Sequence, residues 1–217
     1  MFKDIKGAIF DLDGTLIDSM WLWSKIDVEY LKKHNLQVPE DLKENLNHLC
    51  FKDCAKYFKT RFNLPYTPEE IESHWIQMAL QEYSTNISLK PGAKKFLQFL
   101  KNNNIKIALA TSNRRDLANA SLKLNDIANY FDCITTTDEV PRGKNFPDVY
   151  LLAANRLGVN PKNCIVFEDI LLAVKGAHSA GMKVIAVYDE FSKNEEKEIT
   201  TIASKYIHNY DELLHMI

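Results

Sequence analysis

The chain has 217 residues, of which 46% are hydrophobic and 26% charged, with 7 glycines and 7 prolines. This composition is typical of a globular protein of one or two domains, and it excludes disorder, collagen-like repeats and a long multidomain array. The 27 basic and 29 acidic residues give a formal net charge of -2. That near balance provides no attraction to nucleic acid or to an anionic membrane, so we expect neither as a partner.

Cysteine spacing and the N-terminus indicate the compartment. The four cysteines show no CxxC spacing and are too sparse for a disulfide scaffold, so we expect reduced thiols. Acidic residues interrupt the first apolar run, where a signal peptide needs an unbroken apolar core. No segment approaches the roughly 18 uncharged apolar residues that a membrane span needs. We therefore expect a soluble, cytoplasmic protein, and we expect it to be a monomer.

Short apolar runs rich in β-branched residues recur along the chain and predict buried strands. They are Ile5–Phe10, Ile105–Ala110, Cys133–Thr136, Cys164–Phe167 and Val184–Tyr188. Segments with helical periodicity lie between them, at Ala93–Lys101, Arg114–Leu124, Pro147–Leu157 and Leu171–Ala180. Strands that are apolar on both faces and alternate with helices are typical of a parallel sheet covered on both sides. The predicted fold class is α/β, with a doubly wound parallel sheet.

About ninety residues separate the first two strands, whereas a βαβ crossover usually needs some thirty. Residues 19–86 contain helical patterns and no convincing strand. The sequence Thr67-Pro68-Glu69-Glu70 predicts a capping box and a helix that runs to about Tyr83. We therefore predict an inserted helical cap domain over 19–86, and a core domain formed by 1–18 together with 87–217.

The first strand runs directly into Asp11-Leu12-Asp13-Gly14-Thr15-Leu16. Ligands bind at the carboxyl ends of the strands in an open parallel sheet, and Gly14 allows the turn that brings both acids to one site. A single Asp with Gly after a strand would be an ordinary acidic turn. Four specified residues at fixed offsets arise by chance in about one such chain in a thousand, which favours a functional site.

Three later segments place further polar residues after strands or before a helix. They are Thr111-Ser112-Asn113, Gly143-Lys144 and Glu168-Asp169. Taken alone, the first could be a plain helix cap, the second a surface lysine and the third a turn. Their order along one predicted sheet favours a common site.

Together these segments resemble the four motifs of the haloacid dehalogenase superfamily, in its phosphotransferase branch. The later Gly176-Ala177-His178-Ser179-Ala180-Gly181-Met182 is similar to the subgroup that contains β-phosphoglucomutase and small sugar-phosphate phosphatases. The resemblance covers nearly the whole core and implies a Rossmann-like core with a helical cap. It also implies a phosphoric monoester hydrolase that acts on a small phosphorylated metabolite.

The resemblance implies a role for each motif residue. Asp11 would attack phosphorus and form an aspartyl phosphate, while Asp13 would protonate the leaving oxygen and later take a proton from water. Mg²⁺ would be the cofactor, held by Asp11, the Asp13 backbone carbonyl and Asp169, with Glu168 either as a further ligand or as a partner that orients the ligands. Phosphate would be bound by Thr111, Ser112, Asn113 and Lys144, because a dianionic ester needs donors and positive charge.

Departures from the family pattern concern the metal surroundings and the cap. Ile170 takes a place where relatives often have a small polar residue, so one hydrogen bond around the metal would be missing. Trp23 stands where β-phosphoglucomutase has a catalytic histidine. Trp23, His48 and Lys52 are candidate substrate-specificity residues, although each could also be an ordinary core or surface residue of the cap.

The predicted function is a Mg²⁺-dependent phosphatase of a sugar or polyol phosphate. The closest alternative is a hexose-phosphate mutase that uses the same aspartyl phosphate, and Trp23 argues against it. The second alternative is a non-enzymatic phospho-acceptor module, which is disfavoured by the chain length and by the long insertion.

Overall fold

The computed structural model describes Phe2, residues 4–46, Leu49 and residues 51–214. The chain divides into two compact units, Met1–Met20 with Ile87–Ile217, and Trp21–Asn86. They are called the core unit and the cap unit below. The predicted domain boundaries, after residues 18 and 86, lie close to these divisions.

The core unit is built on a six-stranded sheet. Its strands are β1 (Gly7–Phe10), β2 (Lys106–Thr111), β3 (Cys133–Thr136), β4 (Cys164–Glu168), β5 (Lys183–Val187) and β6 (Lys205–Ile207). The strand order is β3-β2-β1-β4-β5-β6, and every neighbouring pair is parallel. The five predicted strands are present within two residues at each end, and the predicted α/β fold class is confirmed.

Helices connect the strands of the sheet. In the core unit they are α5 (Ala93–Asn102), α6 (Arg115–Leu124), α7 (Asp148–Leu157), α8 (Leu171–Ser179), α9 (Glu196–Ile202) and α10 (Asp211–Leu214), and in the cap unit α1 (Leu22–Lys33), α2 (Leu42–Leu46), α3 (Phe51–Arg61) and α4 (Pro68–Thr85). Among the described residues, no helix is both long and apolar enough to cross a membrane.

Aromatic residues from distant segments fill the core below the sheet. The rings of Phe10 in β1 and Phe167 in β4 stack in parallel with their centroids 4.3 Å apart. Phe96 of α5 and Tyr210 pack against the same pair. Because all four side chains are fully buried, they fix β1 against β4 just before the residues that follow each strand.

The cap unit has its own apolar centre. Trp75 of α4 makes edge-to-face contacts with Phe58 of α3 and Tyr30 of α1, at centroid distances of 4.8 and 5.9 Å. The predicted capping box is present at the start of α4, where Thr67 and Glu70 each accept the other's backbone N–H. The cap unit therefore has a helical core that holds three of its helices together.

The two segments that connect the cap unit to the sheet pair with each other. The backbone N–H of Asp18 donates to the carbonyl of Ser88, and that of Lys90 donates to the carbonyl of Leu16, at 3.0 and 2.9 Å. The Lys90 ammonium group also forms a partly buried ion pair with Asp189, at 2.6 Å. Both connecting segments are thus fixed to the sheet before the chain enters the cap unit.

Candidate active site

The central pair of strands brings the first and last motifs together. Phe10 of β1 lies in register with Phe167 of β4, so the residues after them, Asp11 and Glu168, extend from the same edge of the sheet. One carboxylate oxygen each from Asp11, Glu168 and Asp169 lies within 4.8 Å of the others, and all three residues are buried. Asp11 thus forms one cluster with two acids that lie 157 and 158 residues later in the sequence, at the carboxyl ends of neighbouring strands.

The turn after Asp11 requires glycine. Gly14 has a φ of +79°, in the left-handed region that other residues rarely adopt. A Cβ atom at this position would lie 2.4 Å from Oδ2 of Asp169. Gly14 therefore allows the first motif to approach the acid of the last motif.

Lys144 is the positive charge of the cluster. Its ammonium group donates to Oδ1 of Asp11 and, at 2.7 Å, to Oε1 of Glu168. Burial alone would lower the pKa of Lys144, but the negative charges of Asp11 and Glu168 outweigh this effect and raise it. Lys144 therefore stays protonated and holds the two carboxylates beside each other.

A close backbone contact holds the Lys144 loop in place. A Cβ atom at Gly176, in the middle of α8, would lie 1.9 Å from the carbonyl oxygen of Lys144 and 3.0 Å from that of Phe146. Only a glycine leaves room for the loop to lie directly on the helix. This contact explains why α8 contains a glycine in its interior, where glycine weakens a helix.

Two further residues support the acids, and the sequence analysis assigned neither of them. The Tyr150 hydroxyl of α7 donates to Oε1 of Glu168 at 2.7 Å, and the Thr15 hydroxyl donates to Oδ1 of Asp169 at 2.9 Å. Thr15 was part of the first motif, but nothing in the sequence pairs it with Asp169. Each donor binds one oxygen of an acid and forms no hydrogen bond with the other oxygen.

The second carboxylate oxygen of Glu168 and that of Asp169 are suited to bind a cation. Oε2 of Glu168 and Oδ2 of Asp169 are buried and have no hydrogen-bond partner among the described residues. The cluster contains three carboxylates, and the Lys144 ammonium group pairs with two of them, so the cluster carries an excess of two negative charges over Lys144 when all three acids are ionised. Burial and the nearby charge of Asp11 raise the pKa of Glu168 to about 7 and that of Asp169 well above its ordinary value. Oxygen ligands with two excess negative charges are the donor set that suits Mg²⁺.

Asp13 lies beside this cluster and accepts two hydrogen bonds. Ser19 Oγ donates to Oδ1 at 2.7 Å, and Asn113 Nδ2 donates to Oδ2 at 2.9 Å. Thr111 is buried at the end of β2, and its hydroxyl oxygen accepts the backbone N–H of Asn113 at 2.9 Å. Helix α6 begins at Arg115, with Arg114 as its N-cap, so Ser112 and Asn113 precede the helix. Those two residues form a loop, in which Ser112 is exposed and Asn113 turns towards Asp13.

A family model for haloacid dehalogenase-like hydrolases matches residues 8–187 of the chain. This range includes every motif of the acidic cluster. The chain belongs to the haloacid dehalogenase-like hydrolases.

Relatives of this hydrolase are similar over nearly the full length. A Drosophila melanogaster protein named "Probable pseudouridine-5'-phosphatase" is 32% identical, over 93% of this chain and 89% of its own. A "Phosphorylated carbohydrates phosphatase" from Thermotoga maritima is 29% identical, over 83% and 84% of the two chains. A crystal structure named "putative beta-phosphoglucomutase", also from Thermotoga maritima, has a TM-score of 0.83 at 26% identity and covers 94% of both chains.

The candidate specificity residues of this hydrolase lie in the cap unit. Trp23 is half-buried, Lys52 is exposed in the first turn of α3, and His48 lies outside the described residues. Trp23 lines a cavity of about 470 Å³ together with Asp27, Phe51 and Trp75. The ring of Phe51 lies edge-on to both tryptophans, at 5.3 and 5.5 Å, and burial raises the pKa of Asp27 to about 7. Within the cap unit, Trp23 is therefore part of an aromatic pocket whose lining includes the acidic residues Asp27 and Glu40.

Ile170 follows the last acid of the cluster and is 38% exposed. Its backbone is extended and it directly precedes α8. Its aliphatic side chain has no hydrogen-bond donor or acceptor to offer to Asp169.

Proposed function

We propose that this hydrolase is a Mg²⁺-dependent phosphatase, which hydrolyses a small phosphorylated metabolite through an aspartyl phosphate on Asp11. The observation that carries the proposal is the buried cluster of Asp11, Glu168 and Asp169 around Lys144, with two acid oxygens left without a partner. A dianionic ester and a carboxylate nucleophile repel each other, so a site for this reaction must supply positive charge on the side of the acids. Lys144 supplies part of that charge.

The residues of the chain divide the chemistry between them. Asp11 attacks phosphorus while the bond to the leaving oxygen breaks, and Asp13 delivers a proton to that oxygen. Water then attacks the phosphorus of the aspartyl phosphate, Asp13 takes the proton from this water, and the Asp11 carboxylate is regenerated. Lys144 neutralises Asp11 without itself giving up a proton, because its raised pKa keeps it charged.

The residues that would hold Mg²⁺ are Asp11, the backbone carbonyl of Asp13, Glu168 and Asp169. When bound, the ion would supply positive charge to the transferred phosphoryl group. Thr15 binds Oδ1 of Asp169, and both Tyr150 and Lys144 bind Oε1 of Glu168. These contacts orient the two acids. Thr111, Ser112 and Lys144 remain the candidates for phosphate binding, while Asn113 already donates to Asp13.

A sugar or polyol phosphate is the substrate class that we propose. Two of the relatives are named as phosphatases of phosphorylated carbohydrates and of pseudouridine 5'-phosphate, and both of these substrates contain a sugar phosphate. We further propose that Trp23, His48 and Lys52 set the choice among such substrates. An aromatic wall such as that around Trp23 suits the apolar face of a sugar or base ring.

The experiment is a screen of phosphorylated sugars, polyols and nucleotides for release of inorganic phosphate, with Mg²⁺ or with excess chelator. We expect turnover only with the metal, and we expect Asp11→Asn to lose it, because an amide does not attack phosphorus. Full turnover by Asp11→Asn, or equal rates in chelator, would refute the mechanism. Conversion of β-glucose 1-phosphate to glucose 6-phosphate without phosphate release would instead support the mutase.

A further inference from the structure

The two oxygens of the Asp13 carboxyl group accept hydrogen bonds from two different parts of the core unit. Ser19 lies six residues later, at the end of the first connecting segment, and Asn113 lies a hundred residues later, after β2. Ser19 is only 2% exposed, so its hydroxyl has little competition from water. Two donors at two oxygens define the plane of the carboxyl group, which a single hydrogen bond would leave free to rotate.

The two donors differ in what they can do. Oδ1 of Asn113 accepts the backbone N–H of Arg114 at 2.7 Å, which sets the amide orientation and leaves Nδ2 facing Asp13. An amide N–H can only donate, so Oδ2 of Asp13 always faces a donor. The hydroxyl of Ser19 can donate to a carboxylate or accept from a carboxylic acid. The proton of the acid form therefore belongs on Oδ1, the oxygen that faces Ser19.

We propose that Ser19 and Asn113 are positioning residues, which hold Asp13 so that Oδ1 gives and receives the proton of the reaction. This inference rests on the proposed phosphatase function. In the first half-reaction the Oδ1 proton moves to the ester oxygen as the ester bond breaks and the Asp11–phosphorus bond forms. In the second, a proton of the attacking water moves to Oδ1 as the Asp11–phosphorus bond breaks. Asn113 thereby acquires a role other than the phosphate binding expected from its motif.

Leaving-group dependence tests this role, because only a poor leaving group needs the proton in the first half-reaction. The probes are a sugar phosphate that the wild type hydrolyses and 2,4-dinitrophenyl phosphate, and kcat/KM reports the first half-reaction for each. General acid catalysis contributes about 10²- to 10⁴-fold. We expect Ser19→Ala to lower kcat/KM by about tenfold or more for the sugar phosphate, and by less than about threefold for the dinitrophenyl ester. Ser19→Thr, which retains the hydroxyl, should restore most of the loss.

Asn113→Ala separates positioning from phosphate binding. If Asn113 positions Asp13, the variant shows the same dependence on the leaving group, and its inhibition constant for inorganic phosphate stays within about threefold of wild type. If Asn113 binds phosphate, both esters lose kcat/KM alike and inhibition by phosphate weakens, which would overturn the proposal for this residue.

Ser84→Ala is the matched control, since the exposed Ser84 hydroxyl in α4 donates only to a backbone carbonyl. It should leave both esters and the melting temperature unchanged. Equal losses on both esters in Ser19→Ala, or wild-type rates on both, would overturn the role of Ser19 while the phosphatase function stands. Full activity of Asp11→Asn on either ester would overturn the phosphatase function, and this inference with it.

Discussion

The close contact between Gly176 and the Lys144 loop predicts that Gly176→Ala will lower both stability and catalytic activity. The substitution would place a methyl group 1.9 Å from the backbone carbonyl oxygen of Lys144. Carbon and oxygen atoms in ordinary contact are more than about 3 Å apart, so helix α8 and the loop must separate by more than about 1 Å. The obstacle is backbone, and it cannot rotate away as a flexible side chain could.

The size of the effect follows from two opposing contributions. Overpacking of a tight contact costs about 1–3 kcal/mol, and the rigid backbone places this contact near the upper end. Alanine gains about 1 kcal/mol over glycine in a helix interior. The net loss of about 2 kcal/mol corresponds to a melting temperature about 4–8 °C lower for a chain of this length. A shift of about 1 Å in Lys144 should also lower kcat/KM by about a hundredfold.

The assay combines thermal melts with kcat/KM on the best substrate from the screen. His178→Ala is the control, because His178 is exposed on the same helix and its replacement adds no contact with the loop. A Gly176→Ala protein with wild-type melting temperature and activity would refute the reasoning. A lower melting temperature with unchanged kcat/KM at a temperature where the protein is folded would show that the Lys144 loop shifts without displacing its ammonium group.

Two further predictions concern the metal and the cap. The pKa of Glu168 is raised to about 7 and that of Asp169 is raised too, so the folded protein keeps protons that the unfolded chain releases. The stability that these acids confer in chelator is therefore complete below about pH 4, and we expect it to fall as pH rises through 7. Thermal melts in chelator and in Mg²⁺, at pH 5 and pH 8, should show that Mg²⁺ raises the melting temperature more at pH 8. Asp169→Asn should reduce both the pH dependence of the melting temperature and its increase with Mg²⁺. An equal increase at both pH values would contradict this prediction. Trp23→Ala and Lys52→Ala should change kcat/KM among sugar phosphates more than for a small artificial ester, whereas parallel losses with a lower melting temperature would make both residues structural.

The sheet and the acids at its edge could be predicted because they depend on local patterns. Buried parallel strands are continuous apolar runs, and the motif acids follow two of those runs directly. The strand β6 was missed because its three residues include the half-buried Lys205 and Tyr206, which form no apolar run. The prediction places the start of helix α6 one residue early, at Arg114, because small polar residues before a helix are common in caps and in turns alike.

Residues that support the site from distant segments could not be predicted. Tyr150 was part of a predicted helix, but its apolar ring is as typical of a core position as of a hydrogen-bond donor to Glu168. Ser19 carried no signal beyond its proximity to the first motif. Gly176 did carry one, since a glycine inside a helical pattern usually has a packing reason. The partner of that packing, the backbone of Lys144, is 32 residues away in sequence and became visible only in three dimensions.

The pairing of the two connecting segments has a consequence for how this architecture can change. Because Asp18 and Ser88 are hydrogen-bonded neighbours, the core unit meets the inserted residues as a loop whose ends are already joined. The entropy of closing such a loop grows slowly, by about 0.6 kcal/mol for each doubling of its length. A hairpin of a few residues could therefore replace the insertion, or a longer insertion could begin and end at the same two residues. Either change would have little effect on the free energy of folding of the core unit. The acidic cluster at the edge of the sheet and the inserted residues can in this way diverge separately during evolution.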